Sequence, residues 1–296
     1  MRIQNVSDPI PVADQVLVEV CAASINPFDK ALVSGKYKGK ILLQFPFTVG
    51  GDFSGLVTET GDAVTEYKKG DEIFGTANAL GAGSGSFAEK LIVKADKIAL
   101  KPKNATFEES AAIVLVGVSA LQGLKEHINL QRGQKILIHG GAGGVGHIAI
   151  QVAKDIGAFV STTVSHIDIE YVKSLGADEA IDYKHKEFEN ILRGYDAVFD
   201  TVGGDITNKS FAVLREGGIL VTMIGMQNEK EAQKYKVKTI RQVTDVNTLR
   251  LNKLAKIVEE GKVKIKISNS FPLQKAKEAF EYFNSGKGLG KVVLRI

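Results

Sequence analysis

Apolar residues in the first hundred positions alternate with polar ones, and glycine and proline interrupt the pattern at short intervals. Alternation of this kind is typical of strands that bury one face, and the interruptions are typical of turns. We predict strands in four segments of this part of the chain, within residues 16–20, 46–60, 71–76 and 87–93. The first hundred residues are therefore expected to form an all-β module.

From residue 108 the pattern changes to helical spacing and short apolar runs. A helix over residues 108–124 is expected to lead into strands that alternate with helices, at residues 136–139, 158–164, 180–182, 197–200 and 218–224. Strands that alternate with helices are typical of a parallel, doubly wound α/β sheet. The charged segment 230–241 mixes lysine with glutamate, and we expect it to form a solvated helical face.

The last part of the chain contains an amphipathic helix at 248–260 and then a return to strands. Strands at 264–267 and 291–296 are expected to flank a helix at 273–284 and to rejoin the β module. We therefore divide the chain into a β-rich domain at residues 1–107, a doubly wound α/β domain at 108–262, and a returning segment at 263–296.

One segment carries a recognisable binding motif. Residues 136–157 read ILIHGGAGGVGHIAIQVAKDIG, a buried strand, a glycine cluster and a helical pattern. Glycines in this context form the dinucleotide fingerprint: Gly141 for the sharp turn, Gly143 for close approach of the pyrophosphate, and Gly146 for packing of the helix. Gly144 and Val145 complete the predicted loop, and the helix N-terminus offers unpaired N–H groups to the phosphates.

Composition narrows the class of protein. The 296 residues suffice for two domains, and 44% hydrophobic with 24% charged residues is typical of globular proteins. No apolar run looks long enough to span a bilayer, and the N-terminal residues lack the apolar region of a secretory signal. The single Cys21 excludes internal disulfides, and we expect a small buried thiol and a cytoplasmic location. Net charge is +4, from scattered lysines that form no nucleic-acid groove.

The end of the predicted second strand bears on the choice of cofactor. NAD-specific sites carry an acid there for the ribose hydroxyl, whereas this chain reads TVSH at 163–166. Asp168 is better explained as the N-cap of a helix that Gly176 closes. We therefore predict NADPH, with Ser165, His166 and Tyr183 as donors to the 2′-phosphate and Lys287 as a weaker candidate.

Several motifs together resemble a known family. They are AASINPFD at 22–29, SGKY at 34–37, GGDFSG at 50–55, GAGGVG at 141–146, DTVGG at 200–204 and GKVVL at 290–294. In this order they resemble the medium-chain dehydrogenase/reductase superfamily, in its zinc-independent branch of quinone oxidoreductases and alkenone reductases. The resemblance implies a GroES-like β-rich catalytic domain with a Rossmann domain, NADPH as cofactor with Tyr183 at its phosphate, and a homodimer. Relatives usually have a strand pair before the P-x-P segment, so we expect a shortened start or an incomplete first sheet.

The resemblance also implies that no metal is bound. Zinc alcohol dehydrogenases place ligands where this chain has Asn26, Gly51 and Asp52, and a catalytic zinc needs thiolate or imidazole at three corners. The structural zinc lobe needs four cysteines. The five histidines show no ligand spacing, so each is expected to be structural or solvent-facing.

Without zinc, hydrogen-bond donors must stabilise the oxygen that becomes negative during hydride transfer. The resemblance places the Asn26 amide near the substrate, Tyr37 as a possible phenol donor, and the Ser119 hydroxyl at the nicotinamide. Asn26 should be extended because Pro27 follows it. Gly225 is assigned to the cofactor site, and Asp29 and Asp52 are expected to brace the loops.

The predicted function is reduction of quinones by hydride transfer from NADPH. Reduction of the C=C bond of α,β-unsaturated aldehydes and ketones is the alternative. A non-enzymatic NADPH-binding or nucleic-acid-associated protein is the alternative from a different class, and a packing role for Tyr37 remains open.

Overall fold

The computed structural model describes residues 2–40, 47–77, 85–225, 228–286 and 288–296. The strands in this part of the chain are β1 (Gln15–Ser24), β2 (Asp52–Thr60), β3 (Glu72–Thr76), β4 (Lys90–Lys94), β5 (Ile98–Leu100), β6 (Lys135–His139), β7 (Phe159–Val164), β8 (Glu179–Asp182), β9 (Tyr195–Asp200), β10 (Leu214–Thr222), β11 (Lys238–Arg241), β12 (Ile267–Pro272) and β13 (Lys291–Arg295).

The helices are α1 (Pro27–Val33), α2 (Phe107–Leu121), α3 (Gly146–Ile156), α4 (Ile169–Ser174), α5 (Phe188–Ile191), α6 (Asp205–Lys209), α7 (Glu229–Lys234), α8 (Thr248–Glu259) and α9 (Ala276–Ser285). A π-helical stretch, Gln122–His127, continues α2. Short 3₁₀ turns occur at Ala95–Lys97, His166–Asp168, Ser210–Val213 and Leu273–Lys275.

Contacts divide the chain into two compact units. Unit 1 lies within Met1–Leu115, Val246–Gly261 and Ile265–Ile296, and unit 2 within Val116–Asp245 and Lys262–Lys264. Helix α8 belongs to unit 1, where it packs against β5.

Unit 1 is built on a mixed sheet with the strand order β12-β13-β1-β2-β3-β5, and β4 also pairs with β1. The β1, β2, β3 and β4 pairings are antiparallel, and β13 joins β1 with Ala23 opposite Leu294. Alternate residues of β1, Val16, Val18 and Val20, face the core with Phe53 and Ile73. The alternation in the sequence therefore corresponds to strands that bury one face in the core. The C-terminal strand β13 returns to this sheet, as predicted.

Unit 2 is a parallel sheet of strand order β11-β10-β9-β6-β7-β8. Its strands are buried on most residues: Ile136, Leu137 and Ile138 of β6 are fully inaccessible. Continuous apolar runs are expected where helices cover both faces of a sheet. The GroES-like and Rossmann fold classes predicted from the sequence are thereby confirmed.

Several local predictions are wrong in position or type. The segment 230–241 is helical only over α7. Its last four residues form the edge strand β11, whose β-branched Thr239 and Ile240 pair with β10. The strand predicted at 264–267 lies instead at β12. The short helix α1 was not predicted, because seven residues give too little periodicity.

The expectation that no apolar run could cross a membrane also needs correction. Among the described residues, the helix Phe107–His127 is long and apolar enough to cross a membrane, by length and composition alone. The most apolar 18-residue stretch of this helix is 78% buried inside the fold, which is the environment of a core helix.

Candidate functional site

The glycine loop of unit 2 joins β6 to α3. Its left-handed residue is Gly140, with φ 73°, so the turn predicted at Gly141 is made one residue earlier. Gly141 is required for a different reason, since a Cβ there would lie 2.1 Å from Thr162 Oγ1. Gly146 is equally constrained, because its Cβ would meet the Gly140 carbonyl oxygen at 2.1 Å. The loop therefore has no room for a side chain at Gly141, which packs against β7, or at Gly146, which packs against Gly140.

The start of α3 fits the phosphates of a dinucleotide. The helix begins without a side-chain N-cap hydrogen bond and with no acid in its first turn. Such an end presents N–H groups and positive potential. Gly143, whose Cβ would touch only the Gly140 oxygen at 3.2 Å, leaves its outer side open. The predicted residues Gly141, Gly143, Gly144, Val145 and Gly146 thus belong to one loop at the carboxyl end of β6, with Gly143 exposed and Gly141 and Gly146 buried.

We expect Gly146→Ala to weaken dinucleotide binding by about tenfold or more, because the added methyl would push the Gly140–Gly141 backbone out of place. Isothermal titration with NADPH measures the effect. Gly51→Ala is the matched control, since its Cβ would meet only Thr76 Oγ1 at 3.5 Å. Unchanged affinity in Gly146→Ala would contradict the assignment of this loop.

The predicted 2′-phosphate residues lie at the ends of β7 and β8. Ser165 and His166 follow β7, and Tyr183, 55% exposed, follows β8. Ser165 Oγ donates to Asp168 Oδ2 at 2.6 Å, so Asp168 sits at the N-cap position of α4 without capping it. Gly176 closes this helix with φ 101°, as predicted. Lys287 lies outside the described residues.

The structure places an acidic residue, Asp182, beside the predicted 2′-phosphate site, and the sequence pattern did not predict it there. Asp182 ends β8 directly opposite Val164 of β7, and its Oδ2 lies 2.7 Å from His185 Nδ1 and 3.8 Å from His166 Nδ1. The hydrogen bond from His185 lowers the pKa of Asp182. The Asp182 carboxylate is therefore held by His185 and lies beside His166, at the place where the 2′-phosphate is predicted to bind.

Ser119, predicted to face the nicotinamide, is buried in unit 2. Its hydroxyl lies 2.8 Å from Thr244 Oγ1, and its carbonyl oxygen accepts from Gln242 Nε2 at 3.0 Å. Gln242 and Thr244 were not predicted, because they follow β11 and are brought to α2 only by the tertiary fold.

Gly225, also predicted at the cofactor site, follows β10. Its N–H donates to Thr222 Oγ1 at 2.8 Å, and a Cβ there would lie 2.5 Å from Thr207 Oγ1. Both threonine hydroxyls donate to Asp200 Oδ2, and Asp200 also accepts from the backbone of Val202 and Gly203. Asp200 thus fixes the loop at the carboxyl end of β9.

In unit 1, Asn26 caps α1 and is extended, with φ −122° and ψ 160°, which confirms the conformation predicted from Pro27. Its backbone N–H donates to Asp29 Oδ2 at 2.8 Å, and its Nδ2 donates to Asp52 Oδ2 at 2.8 Å. Asp52 also accepts from the N–H of Leu115 at 3.2 Å. These contacts give both carboxylates the bracing role that was predicted.

The Asn26 side chain has a further partner from the C-terminal strand. Lys291 Nζ donates to Asn26 Oδ1 and, at 2.9 Å, to the carbonyl oxygen of Ile25. Lys291 is only 4% exposed, and burial lowers its pKa while Asp52 opposes that change. Burial likewise raises the pKa of Asp52. A lysine, an amide and a carboxylate thus form a buried polar row.

Burial raises the pKa of Asp29 from 3.8 to about 7. The folded state therefore holds this proton more tightly than the unfolded chain, and stability from Asp29 is full below pH 3.8 and lost as the pH rises to about 7. The cost is about 1.4 kcal/mol for each pH unit in that window. We expect Asp29→Asn to match the wild type near pH 4 and to exceed it in stability above about pH 7, as measured by chemical denaturation across pH. A difference in the free energy of unfolding between Asp29→Asn and the wild type that does not change with pH would contradict this expectation.

Tyr37 lies in the turn after α1, partly buried, with its ring centroid 5.5 Å from that of Phe28 in α1. Because Asn26 precedes α1 and Tyr37 follows it, this short helix connects the two predicted catalytic residues. The ring contact is compatible with a packing role as well as with a donor role.

Within the described part of the chain, no group of three or more His, Cys, Asp or Glu could hold a metal ion. Asn26, Gly51 and Asp52 offer neither thiolate nor imidazole, and Lys291 covers the amide oxygen, so these residues do not fit a catalytic zinc. Cys21 is partly exposed rather than buried, and burial raises the pKa of its thiol.

Three of the histidines are held by fold contacts. His139 Nδ1 lies 3.0 Å from Thr163 Oγ1, and His139 Nε2 lies 2.9 Å from Ser210 Oγ. His147 Nδ1 lies 2.9 Å from the Gly143 carbonyl oxygen. His127 Nε2 lies 3.3 Å from Gln122 Nε2. Burial lowers the pKa of His139 to about 4, so it packs as a neutral ring.

Comparison with known proteins agrees with both halves of the chain. Residues 12–103 match the family described as Alcohol dehydrogenase GroES-like domain, and residues 175–294 match Zinc-binding dehydrogenase. The chain is 37% identical to 2-methylene-furan-3-one reductase of Solanum lycopersicum, over 98% of this chain and 74% of that protein. It is 35% identical, with the same coverage, to an NADPH-dependent alkenal/one oxidoreductase, chloroplastic, of Arabidopsis thaliana.

Among solved structures, a quinone oxidoreductase from Coxiella burnetii superposes with a TM-score of 0.89 at 33% identity, covering 98% of this chain and 93% of that one. Sequence and fold therefore point to the same group. The chain belongs to the medium-chain dehydrogenase/reductase superfamily, among its quinone and alkenal/enone oxidoreductases.

Proposed function

We propose that this protein is an NADPH-dependent oxidoreductase that reduces quinones, or the C=C bond of α,β-unsaturated carbonyl compounds. The observation that carries the proposal is the glycine loop between β6 and α3, where a methyl group on Gly141 would collide with Thr162 and one on Gly146 with Gly140. Relatives named as quinone and NADPH-dependent alkenal/one oxidoreductases support the acceptor class.

NADPH supplies a hydride when it is bound. The residues of this chain then have four tasks. The loop at Gly141–Gly146 binds the pyrophosphate, and Ser165, His166 and Tyr183 bind the 2′-phosphate. The Ser119 hydroxyl orients the nicotinamide, and Asn26 with Tyr37 donates hydrogen bonds to the substrate oxygen that becomes negative.

Asn26 is suited to that role because a carboxamide nitrogen carries two N–H donors and only one is used by Asp52. A quinone needs only such stabilisation at its oxygens. An enone also needs a proton at carbon, which Tyr37 or water supplies. The relatives include both kinds of enzyme, so each acceptor is part of the proposal.

A panel of quinones and enones with NADPH tests the proposal, with loss of dihydronicotinamide absorbance as the readout. Turnover with either class supports it and separates the two acceptors. Binding of NADPH without turnover of any acceptor would favour the non-enzymatic alternative.

We propose further that catalysis is independent of zinc, since Asn26, Gly51 and Asp52 do not supply a ligand set. Elemental analysis should find no stoichiometric zinc, and a chelator should leave activity unchanged. Zinc that is lost together with activity would contradict this proposal.

A homodimer in the cytoplasm completes the proposal. The edge strand β11 supports the dimer. Among the described strands it pairs only with β10, and its outer edge is suited to pairing with a second chain. The lone cysteine is compatible with a reducing compartment. Light scattering after size exclusion tests the dimer, and fractionation of cells tests the location.

A further inference from the structure

The ammonium group of Lys291 is buried in unit 1, although lysine is almost never buried without a partner. It stands at the first position of β13 and reaches the segment before α1. There it donates to the Ile25 carbonyl oxygen at 2.9 Å and to Asn26 Oδ1. Both acceptors are uncharged, whereas burial lowers the pKa of Lys291 and the nearby carboxylates of Asp52 and Asp29 raise it against that effect.

The oxygen and the nitrogen of the Asn26 carboxamide have partners of opposite charge. Its oxygen faces the Lys291 ammonium, and its nitrogen faces the Asp52 carboxylate at 2.8 Å. A flipped amide would place oxygen against carboxylate and N–H against ammonium, so both contacts would become repulsive. Only one orientation of the amide is compatible with these neighbours.

Asp52 is itself fixed. Its Oδ2 accepts from the N–H of Leu115 at 3.2 Å and lies 3.4 Å from Ser24 Oγ. The contact with Asp52 alone would favour the same orientation of the Asn26 carboxamide, but it holds only the amide nitrogen. Lys291 holds the oxygen, and it pulls electron density from the amide so that its N–H groups become stronger donors.

We propose that Lys291 is a positioning residue for the hydride transfer: it fixes the Asn26 carboxamide with its oxygen turned away and an N–H available to the substrate oxygen. The inference rests on the proposed function, in which Asn26 stabilises the reduced carbonyl. Lys291 acts through Asn26 and does not itself contact the substrate.

A double-mutant cycle tests the proposal, with Lys291→Met, Asn26→Ala and the double variant assayed on an accepted quinone or enone. We expect Lys291→Met alone to lower kcat about tenfold, with the KM for NADPH little changed. In the Asn26→Ala background the same change should alter kcat by less than about twofold. Lys277→Met, an exposed lysine of α9, is the matched control and should keep wild-type kcat.

Full additivity in the cycle would overturn the proposal, since Lys291 would then act independently of Asn26. Equal kcat in Lys291→Met and the wild type would also overturn it. If Lys291→Met does not fold, Lys291→Gln is assayed in its place. Because glutamine keeps a donor for Asn26 Oδ1, the proposal then predicts a kcat within about threefold of the wild type, and a tenfold loss that persists in the Asn26→Ala background would overturn it.

A second readout does not depend on turnover. The side-chain amide resonances of Asn26 are identified in a ¹⁵N spectrum as those absent from Asn26→Ala. They should move in Lys291→Met and stay in place in Lys277→Met. Unmoved resonances in Lys291→Met overturn the positioning role, whereas a failure of the wild type to reduce any acceptor, with moved resonances, overturns the proposed function alone.

Discussion

Asn26→Ala is expected to lower kcat by about tenfold or more with quinone and enone substrates, while the affinity for NADPH changes little. The donor acts more strongly on the developing negative charge than on the neutral carbonyl, so its loss appears in kcat. Loss of one donor costs about 2.7 to 4 kcal/mol in the strongest oxyanion holes, and a partly wet site should show less. Steady-state kinetics with a cofactor titration measures both quantities.

Asn284→Ala, on the exposed end of α9, is the matched control and should behave as the wild type. Tyr37→Phe separates the two acceptor classes, because only an enone needs a proton at carbon. We expect a kcat about tenfold lower for the enone and a smaller effect for the quinone. If both Asn26→Ala and Tyr37→Phe leave kcat unchanged, these are packing residues and the donors lie elsewhere.

The second large effect concerns the cofactor. We expect NADPH to be preferred over NADH by at least about tenfold in kcat/KM, since one or two charge-assisted hydrogen bonds to the 2′-phosphate contribute about 1.5 to 3 kcal/mol each. Ser165→Asp should move the preference toward NADH, because a third carboxylate beside Asp168 and Asp182 would repel the phosphate. Kinetics with both cofactors gives the ratio directly.

Ser165→Ala is the control for the loss of the hydroxyl alone and should change the ratio less than Ser165→Asp. The opposite charge change, Asp182→Asn, should leave NADPH preferred, since it removes negative charge at the ends of β7 and β8. Equal efficiency with NADPH and NADH in the wild type would refute the assignment of this site.

The features that depend on neighbouring residues could be predicted from the sequence. The glycine spacing located the loop, and Pro27 fixed the extended conformation of Asn26. The left-handed turn was placed at Gly141 rather than Gly140, because a glycine pair does not show which member needs the positive φ. Segment 230–241 looked helical from its charges, yet its last four residues pair with β10, and that pairing is not visible in local pattern.

The features that depend on distant pairing could not be predicted. Lys291 meets Asn26 only because β13 pairs with β1, across most of the chain. Asp182 meets His166 because β7 and β8 lie in parallel register, with Val164 opposite Asp182. A lysine at the start of an apolar strand is normally exposed, so nothing in the sequence marked Lys291 as buried.

The central claim is that NADPH delivers a hydride to a carbonyl-conjugated acceptor bound by this protein. Consumption of NADPH by the purified protein, followed with and without 9,10-phenanthrenequinone or an enone, tests it most directly. The account predicts acceptor-dependent oxidation of NADPH that Asn26→Ala slows and that zinc chelation leaves unchanged. NADPH that is bound but never oxidised in the presence of any quinone or enone would contradict it.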